Sequence, residues 1–148
     1  MVTPEEAQRL ALIRYQLTLA LQQAEQPSPR NGLSILGFQD VLESFLYLAA
    51  EHFHAAVTRK MEFDKLIDAV SEKMPDGRPL GYRAQLLALN NARVNLKHYG
   101  NLPDQRTVER HRLSHWHSWK KKPPAHSGSG SRRSRSQVSS VTRLPATW

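Results

Sequence analysis

Apolar residues recur at helical spacing in four successive blocks of the chain, each bracketed by start and stop signals. In residues 3–25, Leu10, Ile13, Leu17, Ala20, Leu21 and Ala24 fall on one face of a helix. Thr3 is placed to cap this helix, Pro4 suits its first turn, and Glu6 completes a capping box. The run "QPSPRNG" follows, and its prolines and glycine are expected to keep the chain non-helical.

A second helix is expected from near Ser34 to His54, with Phe38, Leu42, Phe45, Ala49 and Phe53 as its apolar stripe. The run "ILGFQDVLESFLYLAA" is apolar enough to pack on more than one side. Asp40, Glu43 and Tyr47 line another face, which reads either as a solvated surface or as a polar wall beside a site or a dimer contact. A third helix covers Glu62–Met74, with Phe63, Leu66, Ile67 and Val70 inward, and "MPDG" ends it. The fourth runs from Tyr82 to about His98 on a stripe of Tyr82, Leu86, Leu89 and Leu96; Gly100 and Pro103 close it. A fifth helix begins near Asp104. Strand-like alternation and internal repeats are absent from this part of the sequence. The expected fold is all-α, a four-helix up-down bundle over residues 1–113, followed by a disordered basic tail over residues 114–148.

Charge separates these two regions. The chain carries a formal net charge of +8, which invites a nucleic-acid reading. Residues 106–148 hold ten basic side chains and one acidic one, Glu109, whereas residues 1–105 hold 11 basic and 12 acidic. The high pI therefore describes the tail. All three tryptophans and nine serines lie beyond residue 113. "HRLSHWHSWKKKPP" interleaves basic and aromatic residues as single-strand RNA binders do, and "SGSGSRRSRSQVSS" is flexible and of low complexity. His111 and His115 stand four apart, but no carboxylate or cysteine accompanies them and no metal is assigned. A second origin for the tail lies in the genetic code. Shifted by one frame, codons for "HWHSWKK" are compatible with Leu-Ala-Phe-Leu-Glu-Glu, an amphipathic pattern like that of the preceding helices. A frameshift near residue 113 would produce such a tail.

The chain has no cysteine, so disulfides, thiolate metal sites and cysteine nucleophiles are excluded. "MVTPEEAQRLALIRY" lacks the basic-then-apolar pattern of a secretory signal, and no apolar run is expected to be long enough to cross a bilayer. A cytoplasmic protein without membrane contact is the expectation.

The candidate chemistry lies in "NNARVNLKHYG". Arg93, four residues after Leu89 and three before Leu96, sits on or beside the apolar stripe of its helix, where a cation must snorkel, pair or serve a function. His98 falls at the helix end. A guanidinium can fork onto a phosphate and an imidazole can transfer protons near neutral pH, the two capacities that RNA cleavage requires. Spacing alone is weak, because Arg106–His111, Arg110–His115 and Arg112–His117 repeat it. Context distinguishes Arg93–His98: it ends a well-patterned helix and precedes a glycine-bearing turn. A structural role is the competing reading, with Arg93 bonded to a carboxylate such as Glu43 and His98 capping the helix.

Residues 1 to about 113 resemble the HEPN superfamily, all-α domains of this size. The resemblance rests on four helices, the polar-containing second helix "GFQDVLESFLYLAAEH", and Arg-x4-His where the fourth helix meets a loop, "ARVNLKHYGNLP". It implies a metal-independent, cofactor-free endoribonuclease in which the motifs of two protomers face each other across a homodimer. His98 would be the general acid/base and Arg93 the phosphate-binding group, with Asn95, Glu43 and Asp40 as auxiliary residues. It further implies RNA as substrate and a place in a toxin–antitoxin or defence system, with a cognate antitoxin as partner. One departure is Val94, where active members usually carry a polar residue; Asn95 follows one position later. The alternative is a non-catalytic helical dimerisation or interaction module.

Overall fold

The structure, a computed structural model, describes residues 2–75, 80 and 82–120, with side chains described through Leu113. Among the described residues there are five helices and no strand: α1 (Pro4–Ala24), α2 (Arg30–His52), α3 (Phe63–Lys73), α4 (Arg83–Tyr99) and α5 (Gln105–Lys120). The described part of the chain is all-α, as its periodicity implies.

The capping box on α1 forms as the sequence reads. The Thr3 hydroxyl accepts from the Glu6 N–H at 3.1 Å, and the Thr3 N–H donates to Glu6 Oε2 at 2.7 Å. Two donors that the first helical turn leaves unsatisfied are thereby paired. Ile13, Leu17 and Ala20 are buried, with Leu10, Leu21 and Ala24 packed beside them.

The start of α2 corrects the reading of "QPSPRNG". The helix begins at Arg30, within that stretch, and Pro29 is its N-cap residue. Both prolines precede the first turn, where a missing N–H costs nothing. Gly32, inside the helix, lies against the loop that joins α4 to α5: a Cβ there would stand 2.9 Å from Leu102 Cδ2. The end of α2 is a Schellman motif: Ala55 N–H donates to Ala50 O at 2.8 Å and His54 N–H to Glu51 O at 3.2 Å. His54 supplies the left-handed residue, at φ +54°.

α2 is the organising element, in contact with each of the other four helices. One side of it, through Ile35, Phe38, Val41 and Leu48, shares a core with α1, Leu89 of α4 and Val108 of α5. The other side, through Leu46 and Ala50, packs with Leu66, Ile67 and Val70 of α3 and Leu86 of α4. This two-sided burial moves the expected stripe. Phe38 is fully buried, but Leu42, Phe45, Ala49 and Phe53 are only partly so; Ile35, Leu46 and Ala50 take the deepest positions. It also explains why α2 is long and apolar enough to cross a bilayer, against expectation: its most apolar window has a mean hydropathy of 1.3, half of it buried in the protein.

α1 and α2 run antiparallel. Arg9 forks onto Glu51, and Glu6 Oε1 lies 2.8 Å from His52 Nδ1, pairing the start of α1 with the end of α2. Deeper in the pair, the backbones approach so closely that a Cβ on Gly37 would stand 3.0 Å from Ala20 Cβ. α5 closes the α1–α2 core and is tied back by Arg112, which bonds Glu109 at 2.6 Å and lies 3.8 Å from Glu25. It continues to Lys120, so the boundary expected at residue 113 falls within a helix. The disorder expected for the remaining tail concerns residues 121–148, outside the described residues.

Candidate functional site

α4 carries its buried side chains, Leu86 and Leu89, toward α2, with Ala92 and Leu96 packed behind them. Tyr82, expected to open this stripe, is instead an exposed residue at φ +73° ahead of the helix. At one flank of the stripe stands Arg93, half-buried as its position implies. Five residues at 3.6 per turn place His98 about 140° away and about 7.5 Å further along. His98 is exposed on the solvent side of the helix. The two side chains therefore do not converge within one chain.

The helix ends where the motif does. Gly100 takes φ +67°, and the N–H groups of Gly100 and Asn101 close on the carbonyls of Leu96 and Asn95 at 3.1 and 3.3 Å. Lys97 and His98 occupy the last turn, where a cation is favoured by the carbonyl ends of the helix.

Arg93 lines a cleft of about 610 Å³ bounded by α2, the start of α3 and α4. Gln39 and Glu43, one helical turn apart, form its α2 wall; Asn90 and Asn91 face them from α4; Phe63, Asp64 and Leu87 complete the sides. Two charged lining groups are already engaged. Arg83 forks onto Asp68 at 2.8 and 2.9 Å, and Lys65 bonds Glu62 at 2.5 Å. Hydrogen bonding to Arg83 holds the Asp68 carboxyl below its ordinary range. Among the described residues, Arg93 makes no ion pair within 4.0 Å, so the structural role of a bond to Glu43 is not realised. Glu43 lines the same cleft, also without an ion pair among the described residues.

The other expected residues separate. Asp40 and Asn95 are exposed and lie outside the cleft. His98 lies outside it too, but not off its line: seven residues make nearly two full turns, so His98 continues the face of Asn91 about 10 Å beyond it. Sequence reasoning passed over Gln39, Asn90 and Asn91. Gln39 is 1 % exposed in the middle of an apolar run, and its Oε1 has no hydrogen-bond partner. The signal available was a polar residue inside an apolar helix; the adjacent asparagines on α4 gave a second.

Among the described residues no three His, Cys, Asp or Glu side chains gather as a metal site. His111, in the tail-proximal histidine group, is buried beside Val108, and burial pushes its imidazole below the ordinary range. No family model, curated protein or solved structure matches this chain.

Proposed function

We propose that the protein is a metal-independent endoribonuclease of HEPN type, active as a homodimer. The observation that carries this reading is Arg93: a half-buried guanidinium without a carboxylate partner among the described residues, at the edge of an open polar cleft, with an exposed histidine continuing the same helix. A cation left unpaired at a partly buried position favours an anion from outside the chain. In the finer reading, α1 to α4 are the up-down bundle common to HEPN domains, and α5 is an addition against α1 and α2.

Because Arg93 and His98 diverge within one chain, two copies supply the site. His98 accepts the proton of the 2′-hydroxyl. The 2′-oxygen attacks phosphorus, the bond to the 5′-oxygen breaks, and that oxygen takes a proton from the imidazolium of the partner's His98. The products are a 2′,3′-cyclic phosphate and a 5′-hydroxyl. Arg93 binds the non-bridging oxygens as charge develops there. The cellular setting of this reading is a cytoplasmic toxin or defence nuclease held by a cognate antitoxin, with the basic tail adding salt-dependent RNA affinity.

The test is RNA cleavage by the full chain in EDTA. Wild type is expected to cleave, and His98→Ala or Arg93→Ala to lose on the order of 10²–10³ in rate. Undiminished cleavage by His98→Ala rejects the assignment. A specific observation favours a second reading, a non-catalytic interaction module. Leu12, Tyr15 and Leu19 are 57, 60 and 46 % exposed, and their spacing aligns them on the outer face of α1. This reading expects self-association, lost in Tyr15→Glu, without RNA turnover.

A further inference from the structure

The cleft has a chemical preference of its own. Its floor holds Gln39, 1 % exposed, with Oε1 buried and unpartnered. A buried acceptor without a donor is unfavourable, and a ligand that supplies the donor removes that penalty. Glu43 stands one turn along the same helix and Asp64 faces it from α3. With Arg83 and Glu62 engaged by Asp68 and Lys65, the lining that remains is rich in acceptors and has Arg93 as its cation. Phe63 and Leu87 provide apolar walls, and a volume of about 610 Å³ accommodates a nucleotide.

A ligand that fits must bring adjacent donors on a flat, uncharged group, with one anion attached at the Arg93 side. Among nucleobases this selects guanine. Its N1–H and 2-amino group point the same way and can bond both oxygens of one carboxylate. Adenine and cytosine each place an acceptor beside their amino group, and uracil flanks its N–H with two carbonyls, so each sets an acceptor against the carboxylate. The amides of Asn90 and Asn91 can donate to the guanine O6.

We propose that the cleft between α2, α3 and α4 receives an extruded guanine base of single-stranded RNA, with Glu43 on the N1–H and one 2-amino hydrogen, Gln39 Oε1 accepting the second 2-amino hydrogen at the cleft floor, and the attached phosphodiester on Arg93. This deepens the ribonuclease reading and takes from it only that the ligand is RNA. Unstacked bases read on their pairing edges are the common currency of sequence-specific RNA recognition.

The experiment titrates full-length His98→Ala, which leaves RNA intact, with the 5′-monophosphates of guanosine, adenosine, cytidine and uridine by calorimetry. The ratio between nucleotides is the readout, because attraction to the basic tail is the same for all four. GMP is expected to bind at least tenfold more tightly than the others. Glu43→Gln should reduce this preference tenfold or more, and Gln39→Leu should weaken GMP while leaving the helical circular dichroism intact. Arg93→Ala should weaken GMP but not guanosine. Equal binding of the four nucleotides overturns the assignment, as does a GMP preference that survives Glu43→Gln. Selective GMP binding by a protein whose wild type cuts no RNA upholds the guanine site and removes the ribonuclease. Cleavage without base preference, with equal nucleotide binding, does the reverse.

Discussion

Replacing Gly37 by alanine tests how α1 and α2 are held together. The new Cβ would stand 3.0 Å from Ala20 Cβ and 3.6 Å from Ala20 Cα. Carbon atoms pack best at about 3.5–4.0 Å, so one helix must give way by roughly a few tenths of an ångström. Overpacking of this kind costs about 1–3 kcal/mol. Against this, alanine gains about 1 kcal/mol over glycine within a helix. The net expectation for Gly37→Ala is a loss of up to about 2 kcal/mol, or a few degrees in melting temperature for a chain of this size. The decisive comparison adds Ala20→Gly, which removes the opposing methyl. In that background Gly37→Ala should become stabilising by about 1 kcal/mol, because only the helix preference remains. Urea denaturation of the four proteins gives the coupling directly. An effect of Gly37→Ala that is the same in both backgrounds would show that the helices are not in contact at this point, and the antiparallel register built on it would fall.

Further expectations follow from the helix ends and the titrating groups. His54 occupies the left-handed position of a Schellman motif at φ +54°, so His54→Gly should stabilise the fold by about 1 kcal/mol, read as a higher urea midpoint; a loss of stability would mean that the side chain contributes more than its backbone strain costs. Glu6 is held at about 2, below its ordinary 4.5, by the Thr3 N–H first and by His52 next. Its contribution is therefore complete above pH 4.5 and disappears as pH falls from there toward 2, and Glu6→Gln should flatten the stability profile in that window. His111 behaves in the opposite chemical sense. Burial lowers its pKa from 6.5, the unfolded chain takes the proton first, and stability declines as pH drops below 6.5. His111→Leu should abolish that segment of the profile, and an unchanged profile would place the histidine in water. Sequencing the gene tests the tail: the alternative frame beyond residue 113 should continue an apolar helical period, and an early stop codon there would count against a frameshift.

Several elements were legible without coordinates because their causes are local. The capping box at Thr3 and Glu6 needs only residues three apart. The glycine at position 100 has to adopt a positive φ where the periodic stripe of α4 ends. Arg93 could be placed beside Leu89 and Leu96 by counting residues per turn. The start of α2 was not legible, since proline and glycine signals in "QPSPRNG" describe local preference, whereas Gly32 packs beside Leu102, some 70 residues later in the chain. Nor was the α2 stripe, because a helix buried on two sides has no single apolar face to detect.

The candidate site divides in the same way. Sequence alone determined the helices, the charge imbalance between the body and the tail, and the choice of Arg93 and His98 as groups suited to phosphate and proton transfer. Their separation by about 140° around the helix follows from the same counting of residues per turn. Only the tertiary structure decided that Arg93 forms no ion pair among the described residues, and that Gln39, Glu43, Asn90 and Asn91 share one cleft. Helical periodicity depends on neighbours within a turn and is written in the residue order. A cleft depends on which helices α2 packs against and in what register, and that is set by the whole core together.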